Sequence, residues 1–260
     1  MYHHQRFGLG LWALDFRLEK MNAAILVAAG KGTRMGAGLR LAGDASAPQA
    51  GVDKLFLEVA GRPVVAHTWQ RFADAKCIGE IILVVRDGMQ NAFTELASRF
   101  NLQKPFRIVV GGAERQDSVW NGLEALSLTA EIVAIQDAAR PCTSDEVIAA
   151  TVQAADETGA AVAAQPVTDT LKESSDGRLI QRTLDRSKLW AVQTPQTFRV
   201  EVIRRALAEA RRRRLVFTDD TAACELIGQP VRLVSSIAPN PKVTVPGDLP
   251  FIEMLLRTRT

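Results

Sequence analysis

The chain has 260 residues, of which 47% are hydrophobic and 23% charged, and its 32 basic and 29 acidic residues give a net charge of +3. This composition is typical of a folded globular protein with a sizeable core and excludes disorder over most of the length. The small charge excess and the 6% aromatic content give no reason to expect a nucleic-acid-binding protein. The longest apolar run covers residues 23–29, far short of the roughly 20 residues that a membrane-spanning helix needs.

Short β-branched runs alternate with helical periodicity through most of the chain. Residues 1–21 are predicted to be a disordered N-terminal extension without the pattern of a signal peptide, and residues 22–260 a single domain. The predicted elements are strand 23–27, helix 63–72, strand 80–85, helix 90–100, strand 107–110, helix 118–126, strand 132–136, helix 144–158 and strand 160–164. This alternation predicts an α/β, Rossmann-like fold with a mostly parallel sheet and helices on both faces.

The alternation breaks after Pro166. Residues 166–198 are rich in Thr, Asp, Arg and Lys and contain Asp176-Gly177, a hairpin-turn signal, so they predict a protruding β-arm. A helix over 200–213, a strand over 231–234 and a helix over 248–256 are expected to follow. Residues 36–53 are half Gly and Ala and predict a mobile loop.

A glycine-rich turn, AAGKGTRMG over residues 28–36, follows the first predicted strand. The carboxyl end of a parallel strand is where α/β sheets bind ligands. A dinucleotide fingerprint would need glycine at position 35, where the chain has Met35, and the Walker A pattern is absent. Because Lys31 and Arg34 lie inside the turn, a nucleotide triphosphate is the favoured ligand, and a plain tight turn is the structural alternative.

Seven ordered segments then carry a resemblance to a known family. They are AAGKGTRM at 28–35, GGAERQDSV at 111–119, DAARP at 137–141, DTLK at 169–172, TPQTF at 194–198, TDD at 218–220 and NPKVT at 240–244. Together they resemble the 2-C-methyl-D-erythritol 4-phosphate cytidylyltransferases of the non-mevalonate isoprenoid pathway. The chain departs from the family pattern at Lys54, which follows the 36–53 insertion, at Gln136, where His is common, and at Pro241, where Ile is common.

The resemblance implies cytidylyl transfer from CTP to 2-C-methyl-D-erythritol 4-phosphate, with Mg²⁺ and release of pyrophosphate. Because both reactants are anionic, positioning and positive charge should dominate catalysis. The implied catalytic residues are Arg34, Lys54, Arg186 and Lys242. The implied nucleotide-binding residues are Ala28, Ala29, Gly30, Gly32, Gly112, Ala113 and Ser118. The implied substrate-binding residues are Asp137, Arg140, Thr170, Arg186, Thr194 and Lys242, and Asp137 is also the implied metal ligand.

A homodimer is expected because the polar β-arm buries too little apolar surface to stand alone. The resemblance implies that Arg186 reaches the substrate phosphate of the neighbouring subunit, that Thr170 and Thr194 line the same pocket, and that Lys242 comes from the other chain. Structural alternatives remain open: Ser118 as a helix N-cap, Asp137 as a turn residue, and Arg140 and Arg186 as partners of nearby carboxylates.

Alternative functions from other classes also remain. They are a transferase for another alcohol phosphate such as ribitol 5-phosphate, a Rossmann oxidoreductase and a non-catalytic nucleotide-binding regulator. Three features are interpreted as structural: His67 on a predicted helix, the solvated run 211–214 and the small buried Cys142. The three separated cysteines, Cys77, Cys142 and Cys224, lack metal-ligand spacing and favour a reducing, cytoplasmic setting.

Overall fold

The computed structural model of the protein describes residues 21–30 and 53–258. The strands are β1 Met21–Ala28, β2 Glu58–Val59, β3 Arg62–Pro63, β4 Glu80–Val85, β5 Phe106–Val110, β6 Ala130–Asp137, β7 Ala160–Pro166, β8 Lys172–Glu173, β9 Arg182–Thr183, β10 Trp190–Arg199 and β11 Arg232–Ser235. The α-helices are α1 Val64–Asp74, α2 Gln90–Arg99, α3 Arg115–Glu124, α4 Asp145–Thr158, α5 Val200–Arg212, α6 Asp220–Leu226 and α7 Leu249–Arg257. The predicted N-terminal extension and most of the predicted 36–53 loop lie outside the described residues, although Met21 already belongs to β1.

A seven-stranded sheet in the order β11-β7-β10-β6-β1-β4-β5 forms the centre of the protein. The pairs β6-β1, β1-β4, β4-β5 and β7-β11 are parallel, while β10 runs antiparallel to both of its neighbours. The chain moves from β1 outward to β5 and then returns to place β6 on the other side of β1. The order of the strands therefore reverses at β1, which is the position where open α/β sheets form a ligand crevice.

Apolar side chains at alternate positions of the strands pack against two layers of helices, one on each face of the sheet. On β1, Ala24 and Leu26 pack into one core with α1, α2, α4 and α7, whereas Ile25 packs into a second core with α3, α5 and α6. This alternation follows from the two-residue period of a strand, and burial on both faces accounts for the continuous apolar sequences of β1 and β4. The predicted α/β fold with helices on both faces is confirmed.

The strand β10 corrects the predicted arm. Residues 190–199 belong to the central sheet, where Phe198 is buried, so the segment outside the sheet is only 167–189. Within that segment β8 and β9 pair as a short ribbon, and Asp176 closes its turn by accepting hydrogen bonds from the N–H groups of Arg178 and Leu179.

Two predicted helix starts were wrong. Pro63 precedes α1 as its cap residue instead of opening it, and α3 begins at Arg115, so Ser118 lies inside the helix and is not its N-cap. The N–H of Glu114 is instead satisfied by the Asp117 carboxylate at 3.2 Å. In α4, by contrast, Ser144 accepts the Val147 N–H as an N-cap residue does. The described helices include none that is long and apolar enough to cross a membrane.

Candidate active site

A cleft of about 270 Å³ opens at the carboxyl ends of β1 and β6, where the strand order reverses. Its walls are the end of β1, the turn between β5 and α3, the end of β6, and two separate lysines. The lining residues include Ala28, Ala29, Gly30, Lys54, Gly112, Ala113, Arg115, Ser118, Asp137 and Lys242. We call it the β1/β6 cleft.

The turn before α3 forms a closely packed wall of the cleft. A Cβ at Gly111 would lie 2.4 Å from the Ala29 Cβ, and one at Gly112 would lie 2.3 Å from the Asp117 Cβ, so both positions require glycine. The Ser118 hydroxyl accepts a hydrogen bond from the Gly112 N–H and donates one to the Glu114 carbonyl. The hydroxyl therefore holds the turn, and the cleft is bounded there by backbone groups.

Four charged side chains meet at the end of β6 and are called the Asp137 cluster: Asp137, Lys242, Arg115 and Arg140. Lys242 Nζ donates to Asp137 Oδ2 at 2.7 Å, and Arg140 Nε lies 3.8 Å from the same oxygen. Arg115 Nε lies 3.7 Å from Asp137 Oδ1. One carboxylate is thus surrounded by three cations, which leaves the cluster with an excess of positive charge.

The cations fix the protonation state of Asp137. Burial alone would raise the pKa of this carboxyl, but Lys242, Arg115 and Arg140 outweigh burial and hold its pKa below the usual value. Burial would likewise lower the pKa of Arg115, and the nearby carboxylates of Asp220 and Asp137 raise it instead. Asp137 and Arg115 therefore keep their charges at neutral pH, and the excess of cations around Asp137 can attract an anionic ligand.

Lys54 enters the cleft from a short 3-10 turn. Asp53 caps this turn by accepting the Leu55 N–H, and its carboxylate is fixed by Arg86 at 2.6 Å. Lys54 Nζ donates to the carbonyl of Val243 at 2.8 Å. Lys54 therefore reaches the segment that carries Lys242, despite the 22 residues that lie between Gly30 and Asp53 in the sequence.

Asn240 connects the Asp137 cluster to strand β10. Its carbonyl accepts from Arg140 at 2.6 Å, and its side-chain amide donates to the carbonyl of Thr194 at 2.9 Å. The Thr194 hydroxyl in turn accepts the backbone N–H of Asp137 at 3.1 Å. Thr194 and Lys242 thus both approach Asp137 within one chain.

Known proteins with similar sequences identify the family. Residues 22–258 match the family model of 2-C-methyl-D-erythritol 4-phosphate cytidylyltransferase. Two proteins of that name, from Pelotomaculum thermopropionicum and Geobacillus kaustophilus, are 40% and 41% identical over 238 and 237 residues. These alignments cover 91% of this chain in both cases and 94% and 97% of the relatives.

The chain belongs to the 2-C-methyl-D-erythritol 4-phosphate cytidylyltransferase family. It is accordingly a nucleotidyltransferase. A crystal structure of a 2-C-methyl-D-erythritol 4-phosphate cytidylyltransferase from Thermus thermophilus superposes with a TM-score of 0.72 at 33% identity, covering 92% of this chain and 99% of that one. Because this likeness spans nearly the whole chain, the cytidylyltransferase fold extends through the described residues.

The structure brings most of the predicted site residues of this cytidylyltransferase to one place. The β1/β6 cleft is lined by Ala28, Ala29, Gly30, Gly112, Ala113, Ser118, Lys54, Asp137 and Lys242. Arg140 and Thr194 are not lining residues, but both contact Asp137. Thr170 and Arg186 lie exposed on the β-arm, where Arg186 donates to the carbonyl of Thr168. The predicted site residues Gly32 and Arg34 lie outside the described residues, and so does Lys31.

Three polar residues beside the site received no individual role from the sequence. Arg115 belongs to the cluster itself, Asp220 pairs with Arg115 at 2.7 Å, and Asn240 holds Arg140. Each lies in a segment that resembles the family, at 111–119, 218–220 and 240–244. The signal was therefore present, but the sequence does not show which members of a segment meet in space.

The three features interpreted as structural have partners consistent with that view. His67 contacts the carbonyl of Val59 at 2.7 Å, and burial lowers the pKa of this histidine. Cys142 is buried. Arg212 and Arg213 both pair with Glu209 on the same exposed helical surface.

Proposed function

We propose that the β1/β6 cleft is where the chain transfers a cytidylyl group from CTP to 2-C-methyl-D-erythritol 4-phosphate and releases pyrophosphate, a step in isoprenoid precursor synthesis. The observation that carries this assignment is the positively charged Asp137 cluster, of which Asp137, Arg115 and Lys242 line a cleft formed where the strand order reverses. Family membership supplies the identity of the two substrates.

The chemistry requires positive charge and alignment. A phosphate oxygen of the alcohol phosphate attacks the α-phosphorus of CTP, a new P–O bond forms, and the bond to the β-phosphate breaks with its electron pair leaving on pyrophosphate. Negative charge gathers at the five-coordinate phosphorus, so cations aimed at that position lower the barrier. Lys54 and Lys242 are the described cations with ammonium groups at the cleft, and we assign them to the reacting phosphates.

Arg34 is proposed as a further cation at the α-phosphate, by resemblance alone, because it lies outside the described residues. Losing one charged contact of this kind costs roughly 3 kcal/mol, or about 10²-fold in turnover. Arg34→Ala and Lys54→Ala are expected to lower kcat far more than they raise the KM for CTP. Near-normal turnover in either variant would remove that residue from the transition state.

Backbone groups of the Gly112–Ser118 turn are proposed to recognise the cytosine. Gly112 and Ala113 line the cleft together with Ala28 and Ala29, so a planar base in the cleft would lie against main-chain groups and small side chains. Because the Ser118 hydroxyl already bonds the Gly112 N–H, its contribution to base recognition includes holding the turn in shape.

A divalent cation is proposed to bind with CTP. Among residues 21–30 and 53–258 no group of three His, Cys, Asp or Glu side chains could hold a metal by itself. The single carboxylate of Asp137 nevertheless fits Mg²⁺, which commonly takes one or two carboxylates together with substrate phosphates and waters. When bound, Mg²⁺ would offset phosphate charge, and Asp137 would be the protein ligand.

A homodimer is proposed because of the exposed β-arm. Its ribbon has only two residues per strand, and Leu179 and Ile180 near its tip are 73% and 66% exposed. A ribbon of this size gains stability when its edges and apolar side chains are covered by another subunit. We propose that Arg186 and Thr170 then reach the substrate phosphate bound to the neighbouring chain.

Mixing two inactive variants tests the shared site. Dimers formed from Arg186→Ala and Lys54→Ala subunits contain one intact composite site, so statistical mixing should restore about a quarter of the parental activity. Each variant alone, mixed with itself under the same conditions, is the control. A mixture that stays inactive while labelled subunits demonstrably exchange would show that Arg186 does not act across the dimer.

Pyrophosphate release tests the substrate assignment. The purified chain with Mg²⁺ should show its highest kcat/KM with CTP and 2-C-methyl-D-erythritol 4-phosphate, compared with other nucleotides and with ribitol 5-phosphate. Equal or greater efficiency with ribitol 5-phosphate would favour the alternative transferase. We also propose a cytoplasmic location, supported by the wide separation of Cys77, Cys142 and Cys224 in the sequence.

A further inference from the structure

Arg115 spans two carboxylates that lie on different elements. Its Nη1 donates to Asp220 Oδ2 at 2.7 Å, and its Nε lies 3.7 Å from Asp137 Oδ1. Arg115 is the first residue of α3 and lines the β1/β6 cleft, whereas Asp220 opens α6. One guanidinium therefore connects the cleft to a carboxylate in a different part of the fold.

Asp220 is held more firmly than a surface ion-pair partner would be. Its side chain is only 1% exposed, and its backbone N–H donates to Gln196 Oε1 of β10 at 2.9 Å. The preceding residue, Asp219, caps α6 by accepting the Ala222 N–H. Burial raises the pKa of the Asp220 carboxyl while Arg115 opposes that rise. The Asp220 carboxylate therefore depends on Arg115 to stay ionised. Asp220 itself does not line the β1/β6 cleft.

The Asp137 carboxylate needs more than one contact to keep a fixed orientation. The χ2 torsion of aspartate is broad, so a single hydrogen bond to one oxygen leaves the group free to turn. Lys242 bonds Oδ2 through a flexible side chain that is 32% exposed. Arg115 approaches the other oxygen with a planar guanidinium whose direction is set by its bond to Asp220.

We propose that Arg115, anchored by Asp220, is a positioning residue that fixes the Asp137 carboxylate for the Mg²⁺–CTP complex. The proposal rests on the function proposed above and adds two residues to that site. Loss of the anchor leaves Arg115 charged and present but free to move, so Asp137 should meet the metal and phosphates in the correct orientation less often.

The competing explanation is an ion pair that only joins α3 to α6. Such a pair would contribute to stability and leave the metal dependence of the enzyme unchanged. The two explanations differ in the Mg²⁺ concentration that supports half-maximal turnover and in the ability of Mg²⁺ to strengthen CTP binding. Neither quantity should respond when an ion pair is removed elsewhere on α3.

The experiment uses Asp220→Asn in the full chain, which keeps the shape of the side chain and removes its charge. We expect kcat to fall about tenfold and the Mg²⁺ requirement to rise several-fold. Calorimetric titration of CTP, without the second substrate, should show a smaller gain in affinity on adding Mg²⁺. Glu124→Gln is the matched control, because it breaks the Arg204–Glu124 pair, 2.5 Å, at the other end of α3.

A second variant separates action through Arg115 from direct action. In an Arg115→Met background, adding Asp220→Asn should cost no further turnover, since the anchor then has nothing to hold. A clear further loss would overturn the proposal. If Arg115→Met alone does not fold because it leaves Asp220 without a cation, Asp220→Asn alone decides.

Two results for Asp220→Asn distinguish the possible failures. Parental kcat, Mg²⁺ requirement and CTP affinity, with only a lower unfolding temperature, would reduce the pair to a structural contact. If the parental chain itself does not turn over its substrates, the proposed function fails, and the Mg²⁺ dependence of CTP binding still tests the positioning role.

Discussion

Replacing Lys242 by Met separates the catalytic charge from the stability of the Asp137 cluster. The substitution keeps an unbranched side chain of similar length and removes the ammonium that lies 2.7 Å from Asp137 Oδ2. Arg115 and Arg140 remain within 3.8 Å of the carboxylate, so Asp137 still has opposite charges beside it. A charged hydrogen bond contributes about 1.5–3 kcal/mol to stability, and because Lys242 is 32% exposed and partly screened by water, we expect the lower end.

The expected catalytic loss is larger than the loss of stability. Removing a cation aimed at the transferred phosphate costs roughly 3 kcal/mol in activation free energy, which is about 10²-fold in kcat. A protein with about 5–15 kcal/mol of stability that loses about 2 kcal/mol remains more than about 99% folded at 25 °C. Lys242→Met should therefore be folded and nearly inactive. Steady-state pyrophosphate release gives kcat, and urea unfolding gives the change in stability.

Lys104→Met is the matched control for Lys242→Met. Lys104 Nζ donates to the carbonyls of Ala75 and Ile78 far from the cleft, at 2.5 and 2.6 Å. This variant should lose stability and keep parental turnover. If Lys242→Met retains more than about a tenth of the parental kcat, or loses activity only in proportion to its unfolded fraction, the assignment of Lys242 to the reacting phosphates is wrong.

Three further predictions concern recognition, capping and thiol reactivity. Ser118→Ala removes the hydroxyl that holds the Gly112 turn and should raise the KM for CTP about tenfold with less effect on kcat; a change confined to kcat in steady-state assays would argue against a base-recognition turn. Ser144→Ala removes the N-cap of α4, which does not line the cleft, and should cost about 1 kcal/mol in urea unfolding at unchanged turnover. Burial raises the pKa of Cys77, and that of Cys224 to about 12, so the reactive thiolate form of both is scarce at pH 8. Because Cys142 is also buried, a disulfide reagent should modify at most Cys77, and slowly, in the folded protein, and all three cysteines after unfolding. Rapid modification of three thiols in the folded protein would contradict the packing.

Apolar strands and well-separated βα units could be predicted from the sequence because each carries its own local signal. The strand predicted over 80–85 has the observed bounds, and the helix predicted over 144–158 agrees with α4 to within one residue. In both elements the same residues that favour the local conformation also build the core, so local and global preferences agree.

The position of β10 could not be predicted because its sequence lacks the pattern of a central strand. It contains Pro195 and buried polar side chains at Thr194, Gln196 and Thr197. Its pairing with β7 shifts register between Val192 and Gln196, which accommodates the proline at an irregular point of the ladder. Tertiary hydrogen bonds satisfy Thr194 and Gln196, and such partners are invisible in a local window.

The candidate site could likewise be predicted from the sequence only in part. Resemblance named Lys54, Asp137 and Lys242, and the structure explains how they converge, since Asp53 and Arg86 anchor the turn that carries Lys54. The Arg115–Asp220 contact joins residues 105 positions apart, so only the folded chain shows that α3 and α6 meet behind the cleft.

Phosphorus-31 NMR of one reaction mixture tests the central claim most directly. With the parental chain, CTP, Mg²⁺ and 2-C-methyl-D-erythritol 4-phosphate, the three phosphorus signals of CTP and the one of the alcohol phosphate should be replaced by those of a cytidine diphosphate ester and pyrophosphate, formed in equal amounts. Asp137→Asn, shown to be folded by circular dichroism, should form the same products much more slowly and need far more Mg²⁺. If the parental chain forms no diphosphate ester, or if Asp137→Asn forms it at the parental rate and Mg²⁺ requirement, the β1/β6 cleft is not the site of cytidylyl transfer.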